Sequence, residues 1–192
     1  MELILASQSP RRRKLMTNAG YAFRVLVSQA DEKLPAGTPP AAGVRILAER
    51  KAKAVETALP PDILKAAPVF VIGADTLVEL NGVPLGKPRD ENEAKSMLSS
   101  LSGARHHVVT GVAVAVGGRI FSGVETTAVT FRPLSQEEIA DYVATGEPMD
   151  KAGAVRFVQK VDGEIDNVIG LPRKLLAKLL RDAGYEPGKE TP

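Results

Sequence analysis

The chain has 192 residues, of which 44% are hydrophobic and 25% are charged, values typical of a globular protein that exclude a disordered or fibrous one. Its formal net charge of +2 argues against nucleic acid as the main partner, because general polyanion binders are usually far more basic. The absence of cysteine and the presence of only two histidines exclude disulfides and thiolate zinc sites, so that a bound metal would depend mainly on carboxylates, which suit magnesium or manganese.

The N-terminal region predicts two strands around a helix. Residues 2–6 are apolar and predict a buried strand, and residues 23–27 predict a second one. Between them we expect a helix over residues 11–19, with Ser9 as its N-cap and Pro10 at its first position. No apolar run approaches the roughly 20 residues that are needed to cross a bilayer, so we expect a cytoplasmic protein with no membrane partner.

The next region predicts a loop, a long helix and a central strand. Residues 28–40 are rich in proline and charge, and residues 41–58 predict an amphipathic helix. Residues 69–72 are apolar on both faces, as in a central strand, and place Asp75 at the strand's end. The pair Asn81-Gly82 then predicts a hairpin turn.

The C-terminal half alternates capped helices with hairpins. The predicted elements are a helix over residues 90–101, strands over 106–116 and 119–131, a helix over 135–145, strands over 157–161 and 165–168, and a helix over 173–183. This order predicts one α/β domain over residues 1–184, with a mixed, twisted central sheet and flanking helices. We expect residues 185–192 to form a loose tail.

Residues 7–13 place three arginines at the start of the first predicted helix. The unpaired N–H groups and positive dipole of a helix start favour phosphate, and an arginine can grip phosphate with two N–H groups. Because adjacent helical residues point about 100° apart, only one or two of Arg11, Arg12 and Arg13 can face one ligand. Without an anion, each would cost roughly 0.3–1 kcal/mol, which favours phosphate binding over the alternative of a basic surface patch.

Several charged residues are candidates for chemistry on such a phosphate. Asp75, followed by Thr76, could orient and deprotonate a water near a metal, although capping of a turn is the alternative. Glu32 could complete a metal site with Asp75, and Lys51 and Lys87 could neutralise a triphosphate. For these three the alternative is an ordinary solvated surface.

Two other patterns are rejected. Residues 82–87 are superficially similar to a phosphate-binding Walker A loop, but their glycine spacing is one residue short and Pro88 stands where a Ser or Thr is required. His106 and His107 are adjacent in a predicted strand, so they point to opposite faces and cannot chelate one metal.

Eight short motifs occur in order from residue 3 to about residue 180. They are Leu5-Ala6-Ser7-Gln8-Ser9-Pro10-Arg11-Arg12, Leu47-Ala48-Glu49-Arg50-Lys51-Ala52, Gly73-Ala74-Asp75-Thr76, Lys87-Pro88-Arg89-Asp90, Leu101-Ser102-Gly103, Thr110-Gly111-Val112, Asp150-Lys151-Ala152-Gly153-Ala154 and Val168-Ile169-Gly170-Leu171-Pro172. Together they resemble the Maf family of nucleotide pyrophosphatases. One such motif would be weak evidence, whereas eight in register are specific.

The resemblance implies two lobes around a deep cleft, similar to inosine-triphosphate pyrophosphatases, and metal-assisted hydrolysis of a nucleoside triphosphate between its α- and β-phosphates. Asp75 matches the family's catalytic proton acceptor, and a divalent cation, Mg²⁺ or Mn²⁺, is expected on Asp75 and Glu32. The positions that match the family's phosphate cleft are Ser9, Arg12, Lys51 and Lys87. Arg11 and Thr76 match two positions that separate subgroups, and here both, like the stretch 150–154, resemble the dTTP/UTP-cleaving branch.

The chain departs from the family pattern after Ala154. The family usually continues with Tyr-Gly-Ile-Gln-Gly and a short loop before Phe-Val, whereas here only Val155 and Arg156 precede Phe157. The Gln thought to help read the base is missing, and Gln159 lies within the next predicted strand, out of register. Base selectivity therefore stays open.

Two rival functions stay open as well. One is a non-catalytic nucleotide-binding or regulatory protein linked to cell division through septum formation. The other is a nucleic-acid-binding module that uses the arginine run, although an aromatic content of 4% argues against base stacking. A homodimer is an open alternative to a monomer.

Overall fold

The computed structural model describes residues 1–146 and 155–188. Its elements, in chain order, are β1 (Glu2–Leu5), α1 (Pro10–Asn18), β2 (Arg24–Val25), α2 (Pro40–Ala58), α3 (Pro61–Ala66), β3 (Val69–Leu80), β4 (Val83–Leu85), α4 (Glu91–Leu101), β5 (Arg105–Val116), β6 (Arg119–Phe131), α5 (Gln136–Ala144), a 3₁₀ turn (Val155–Phe157), β7 (Val158–Asp162), α6 (Ile165–Ile169) and α7 (Arg173–Asp182). The strands form one sheet in the order β2-β1-β3-β5-β6-β7, with β4 also paired to β3. Strand β1 runs parallel to β2 and β3, whereas the other neighbours are antiparallel. The predicted mixed sheet with flanking helices is confirmed.

Local capping signals set the starts of three helices. The Ser9 hydroxyl accepts a hydrogen bond from the Arg12 amide at the start of α1. At the start of α5 the full capping box forms between Ser135 and its third helical residue. Asp90 caps α4 through the amide of Glu93, but the Glu93 carboxylate accepts from the Arg89 amide, so only half of the predicted box forms.

Two of the three predicted hairpins are also confirmed. Asn81 and Gly82 have φ values of 52° and 81°, and Gly117 and Gly118 have φ values of 56° and 77°. Two consecutive positive φ angles are those of the two-residue turn whose twist matches antiparallel strands. The turns join β3 to β4 and β5 to β6.

The predicted strand over residues 165–168 is wrong, because this segment forms helix α6. Its apolar residues Ile165, Val168 and Ile169 also fit helical spacing, and Val168 packs into the core. This segment also cannot pair with β6 as a strand, because the edge of β6 away from β5 is paired with β7. The buried Asn167 amide donates instead to the Val108 carbonyl of β5, which docks the helix on the sheet.

Other boundaries differ from those predicted. Residues 61–66 form α3, which the sequence did not indicate, and β2 is shorter than expected. Tyr185, assigned to the loose tail, is only 3% exposed and packs edge-on against Phe70 at 5.4 Å. The aromatic contact holds the chain against the core at least to this residue.

The sheet face covered by α1, α6 and α7 carries two separate apolar cores. The first contains Ala74 and Val112, and the second contains Val78 and Val108 beneath α4 and α5. A further cluster lies on the opposite face, under α2. Because side chains on one face of a strand recur every second residue, Thr76 and Thr110 fall between the two cores. On this face, the two threonines therefore form a polar strip between the cores.

Within the described ranges 1–146 and 155–188, no helix has both the length and the hydrophobicity needed to cross a bilayer.

Candidate functional site

A gap in strand pairing opens one edge of β3 in the middle of the sheet. β1 pairs with residues 69–72 of β3, and β4 pairs with residues 78–80. Both lie on the edge opposite β5, which pairs with β3 from residue 71 to residue 79. In the part of the chain that the structure describes, no strand covers residues 73–77 on this edge. Asp75 and Thr76 lie at the centre of this gap.

The sequence predicted that Asp75 lies at the end of a strand, and this prediction is wrong. β3 continues for 12 residues through Gly73, because its pairing with β5 is uninterrupted there. Asp75 and Thr76 are adjacent in this strand, so their side chains point to opposite faces of the sheet. Asp75 faces α2, and Thr76 faces α1 and α6.

Two glycines bring α2 directly onto the sheet beside Asp75. A Cβ atom on Gly73 would lie 2.2 Å from the Ala48 carbonyl oxygen, and one on Gly111 would lie 2.3 Å from the Val44 carbonyl oxygen. Gly111 is the β5 partner of Asp75. The missing side chains allow the helix backbone to approach closely. Lys51, less than one turn beyond Ala48, therefore reaches Asp75.

Lys51 holds two carboxylates. Its Nζ atom lies 2.7 Å from Asp75 Oδ1 and 2.9 Å from Glu32 Oε1. The Lys51 and Asp75 side chains are 13% and 17% exposed, whereas Glu32 is 64% exposed. Solvent therefore screens the Glu32 contact more strongly than the Lys51–Asp75 contact. Two carboxylates around one cation form the oxygen-rich set that a hard divalent ion prefers. No group of three or more His, Cys, Asp or Glu residues suited to a metal occurs among the described residues, so other ligands would have to complete its coordination.

Arg12 is held by neutral acceptors on the other face. Its Nε atom donates to the Gly170 carbonyl at 2.8 Å, Nη1 to Ser7 Oγ at 3.2 Å and Nη2 to Thr76 Oγ1 at 3.0 Å. Burial lowers the pKa of the Arg12 guanidinium, and the Asp75 carboxylate opposes this shift more strongly than any other charged neighbour. The two residues are thus electrostatically coupled across the open edge of β3.

The remaining arginines divide as the helical geometry requires. Arg11 Nε donates to the Ile169 carbonyl at 3.3 Å, whereas Arg13 is exposed. Arg11 and Arg12 therefore both turn toward the segment that joins α6 to α7. No Asp or Glu in the described residues forms an ion pair with Arg11 or Arg12. Among the described residues, two cations thus lie together at the positive end of a nine-residue helix with no carboxylate partner.

Ser9 and Lys87 occupy different places. The Ser9 hydroxyl caps α1, so it shapes the helix start by accepting from the Arg12 amide. Lys87 lies exposed in the loop after β4, on the same side of β3 as the gap. The structure therefore joins Asp75, Lys51 and Glu32 in one cluster and Arg12 and Thr76 in a second one.

Three further residues belong to the second cluster, and none of them was assigned a role from the sequence. Ser7 was included in the arginine-rich motif but was given no role. Thr110 is fully buried, with its hydroxyl 3.0 Å from that of Thr76; a lone hydroxyl in an otherwise apolar strand was the available signal. Gly170 contributes a backbone carbonyl, for which its residue type carries no signal.

The segment 150–154, which contains the Asp-Lys-Ala-Gly-Ala motif, lies outside the described residues. Gln159 lies within β7, as expected, and its side chain is exposed. His106 is 2% exposed, whereas the side chain of the adjacent His107 is 41% exposed, which agrees with opposite orientations in β5.

Comparisons with known proteins cover nearly the entire chain. A family model described as "Maf-like protein" matches residues 2–183. The dTTP/UTP pyrophosphatase of Geobacillus sp. (strain WCH70) is 44% identical over 191 residues, which cover 96% of this chain and 99% of that protein. The dTTP/UTP pyrophosphatase of Pelotomaculum thermopropionicum is 46% identical over 193 residues, covering 96% and 97%. Among solved structures, the Staphylococcus aureus Ham1 protein matches with a TM-score of 0.46 and 13% identity, over 95% of this chain and 97% of that chain.

Proposed function

Because this chain belongs to the Maf-like protein family, we propose that it is a nucleoside-triphosphate pyrophosphatase that hydrolyses dTTP and UTP to the monophosphate and pyrophosphate. One observation in the structure carries the proposal: Arg11 and Arg12 lie at the start of α1 without a carboxylate partner among the described residues, beside the open edge that bears Asp75. A polyanion would supply the missing negative charge.

The triphosphate lies along the gap in β3. The start of α1 and the guanidinium of Arg12 bind phosphate oxygens, for which a planar fork of N–H donors is well suited. Lys51 and Lys87 approach from α2 and from the loop after β4, and they act as point charges. Ser9 supports this arrangement as the cap that keeps the helix start in place.

Asp75 accepts the proton of the attacking water. The water oxygen forms a bond to the α-phosphorus while the bond from that phosphorus to the bridging oxygen breaks, and pyrophosphate leaves. The Lys51 contact at 2.7 Å supports this role because it holds Asp75 in one orientation.

The donor set also suits a divalent ion. Asp75 and Glu32 both contact the Lys51 ammonium. Their carboxylates therefore converge on one position, which the ammonium fills and which a divalent ion would also suit. Mg²⁺ is commonly bound by one or two carboxylates together with substrate phosphates, and Mn²⁺ has similar ligand preferences. When bound, such an ion stabilises the negative charge that develops on the phosphate oxygens.

We propose dTTP and UTP as the substrates because the relatives named above are dTTP/UTP pyrophosphatases. Arg11 and Thr76 are also the residue types that resemble this branch of the family. We also propose a cytoplasmic location, where the protein would meet these nucleotide substrates. The absence of a segment after Ala154 favours one rival, a nucleotide-binding protein without catalysis.

A pyrophosphate-release assay distinguishes the proposed enzyme from the rival, a nucleotide-binding protein without catalysis. The purified protein is mixed with Mg²⁺ or Mn²⁺ and a panel of nucleoside triphosphates, and we expect turnover of dTTP and UTP. Asp75→Asn should lower kcat by at least about 100-fold, since a positioned general base contributes roughly 10²–10⁴-fold. The same change at Asp62, exposed in α3, should leave kcat unchanged. Failure of every nucleotide to react, or full activity of Asp75→Asn, would refute the proposal. Calorimetric binding without pyrophosphate release would support the rival.

A further inference from the structure

We propose that Thr110 is a positioning residue that orients Arg12 for the triphosphate through the hydroxyl of Thr76. This inference rests on the proposed function and extends it to a side chain that meets no solvent, since Thr110 is 0% exposed. Thr110 therefore acts only through its neighbours.

The contacts form a continuous chain. Arg12 Nη2 lies 3.0 Å from Thr76 Oγ1, which lies 3.0 Å from Thr110 Oγ1, which in turn lies 3.4 Å from the Asn167 carbonyl. A guanidinium only donates, so Thr76 accepts from Arg12 and keeps one hydrogen to donate. Thr110 Oγ1 at 3.0 Å is its nearer acceptor, and the Gly170 carbonyl at 3.4 Å is the farther one. When Thr76 donates to Thr110, the hydrogen of Thr110 points to the Asn167 carbonyl.

The far end of this chain is rigidly anchored. Asn167 is fully buried, and its side-chain nitrogen lies 3.0 Å from both the Val108 carbonyl and Thr127 Oγ1. These bonds tie α6 to β5 and β6. Gly170 is the C-cap of α6, and its carbonyl accepts from Arg12 Nε. Docking of α6 therefore supports two of the three contacts of the guanidinium.

Packing alone does not require this hydroxyl. Thr110 lies on the same face as Val108 and Val112, which precede and follow it by two residues in β5. A valine at this position has nearly the same shape but cannot bond to Thr76. Thr76 would then lose its bond to Thr110, and its hydroxyl, one of the three acceptors that orient the Arg12 fork, would no longer be fixed from that side.

Thr110→Val and Thr110→Ser test the inference, because one removes the hydroxyl and the other keeps it. The readouts are KM and kcat for pyrophosphate release, the Kd for a non-hydrolysable α,β-imido analogue of UTP, and the Tm. Thr110→Val should raise KM and Kd at least about tenfold while kcat changes less than threefold, since loss of a hydrogen bond that orients a charged donor costs on the order of tenfold in binding. Thr110→Ser should remain close to wild type. Thr126→Val, on the opposite face of the sheet, is the matched control and should change neither constant.

Combining each change with Arg12→Ala gives a double-mutant cycle, which tests whether Thr110 acts through Arg12. Thr110→Val should have no further effect on Kd in the Arg12→Ala background, whereas additive effects would overturn the proposal. It is equally overturned if Thr110→Val keeps KM and Kd within twofold of wild type, or if Thr110→Ser is as impaired as the valine variant. If the valine variant does not fold, Thr110→Ser decides: wild-type Kd supports the inference, and a tenfold rise overturns it. A wild type that binds the analogue without turnover would defeat the proposed activity alone, whereas a wild type that binds no triphosphate would defeat both.

Discussion

Gly111→Ala is expected to push α2 off the sheet and to destabilise the protein. The added Cβ would lie 2.3 Å from the Val44 carbonyl oxygen, 2.4 Å from its carbonyl carbon and 2.7 Å from the Arg45 amide nitrogen, whereas ordinary contact begins at 3.4 Å. All three atoms belong to the helix backbone, so rotation of a side chain cannot relieve the overlap. The helix must move by roughly 1 Å or the strand must bend, because protein interiors are close-packed.

The size of the effect follows from this overlap. Overpacking a core typically costs about 1–3 kcal/mol, and a clash with backbone alone belongs at the upper end of that range. For a chain of this size, each kcal/mol lowers Tm by about 2–4 °C, so we expect a decrease of at least about 6 °C. Displacement of α2 also separates Lys51 from Asp75, and pyrophosphate release should fall with the stability.

Thermal unfolding followed by circular dichroism measures the decrease. The matched control is Gly86→Ala, since a Cβ atom there would meet no other atom within 4 Å and the backbone is not in the left-handed region. The control should melt within about 2 °C of wild type, or slightly higher because alanine reduces the freedom of the unfolded chain. A Gly111→Ala protein that melts as the wild type does would show that α2 does not rest on this strand as closely as described.

Two further outcomes are expected. The hydrogen bond from Arg132, followed by that from the Ser135 amide, lowers the pKa of Glu138 to about 2, so its stabilising contribution is present above the ordinary value of 4.5 and is lost as the pH falls toward 2. The Tm difference between wild type and Glu138→Gln should therefore shrink over that interval in melts from pH 7 to pH 2, and a constant difference would contradict the assignment. Lys51→Met removes the ammonium that Asp75 and Glu32 share, so Mn²⁺ titration by electron paramagnetic resonance without nucleotide should show tighter binding than in wild type, while pyrophosphate release falls. Unchanged Mn²⁺ affinity would argue against a shared cation position.

Local elements and the chemical character of the first helix start could be predicted from the sequence, because each depends on a few consecutive residues. Ser9 and Pro10 specify where α1 begins, and Asn81-Gly82 specifies a hairpin turn. The arginine run after this cap predicted an anion site, and the structure places two of its members without carboxylate partners among the described residues. Predictions of this kind hold in the structure because capping and turn geometry depend only on residues a few positions apart in the chain.

Only the tertiary structure decided which residues share the site and how they face it. Because β3 pairs with β5 beyond Gly73, Asp75 lies in the middle of a strand beside an unpaired edge, and not at the predicted strand end. Docking on β5 and β6 makes residues 165–169 helical and delivers the Gly170 carbonyl to Arg12, 158 positions away in the chain. No local pattern encodes such a contact, because strand pairing and close helix packing depend on partners that folding alone brings together.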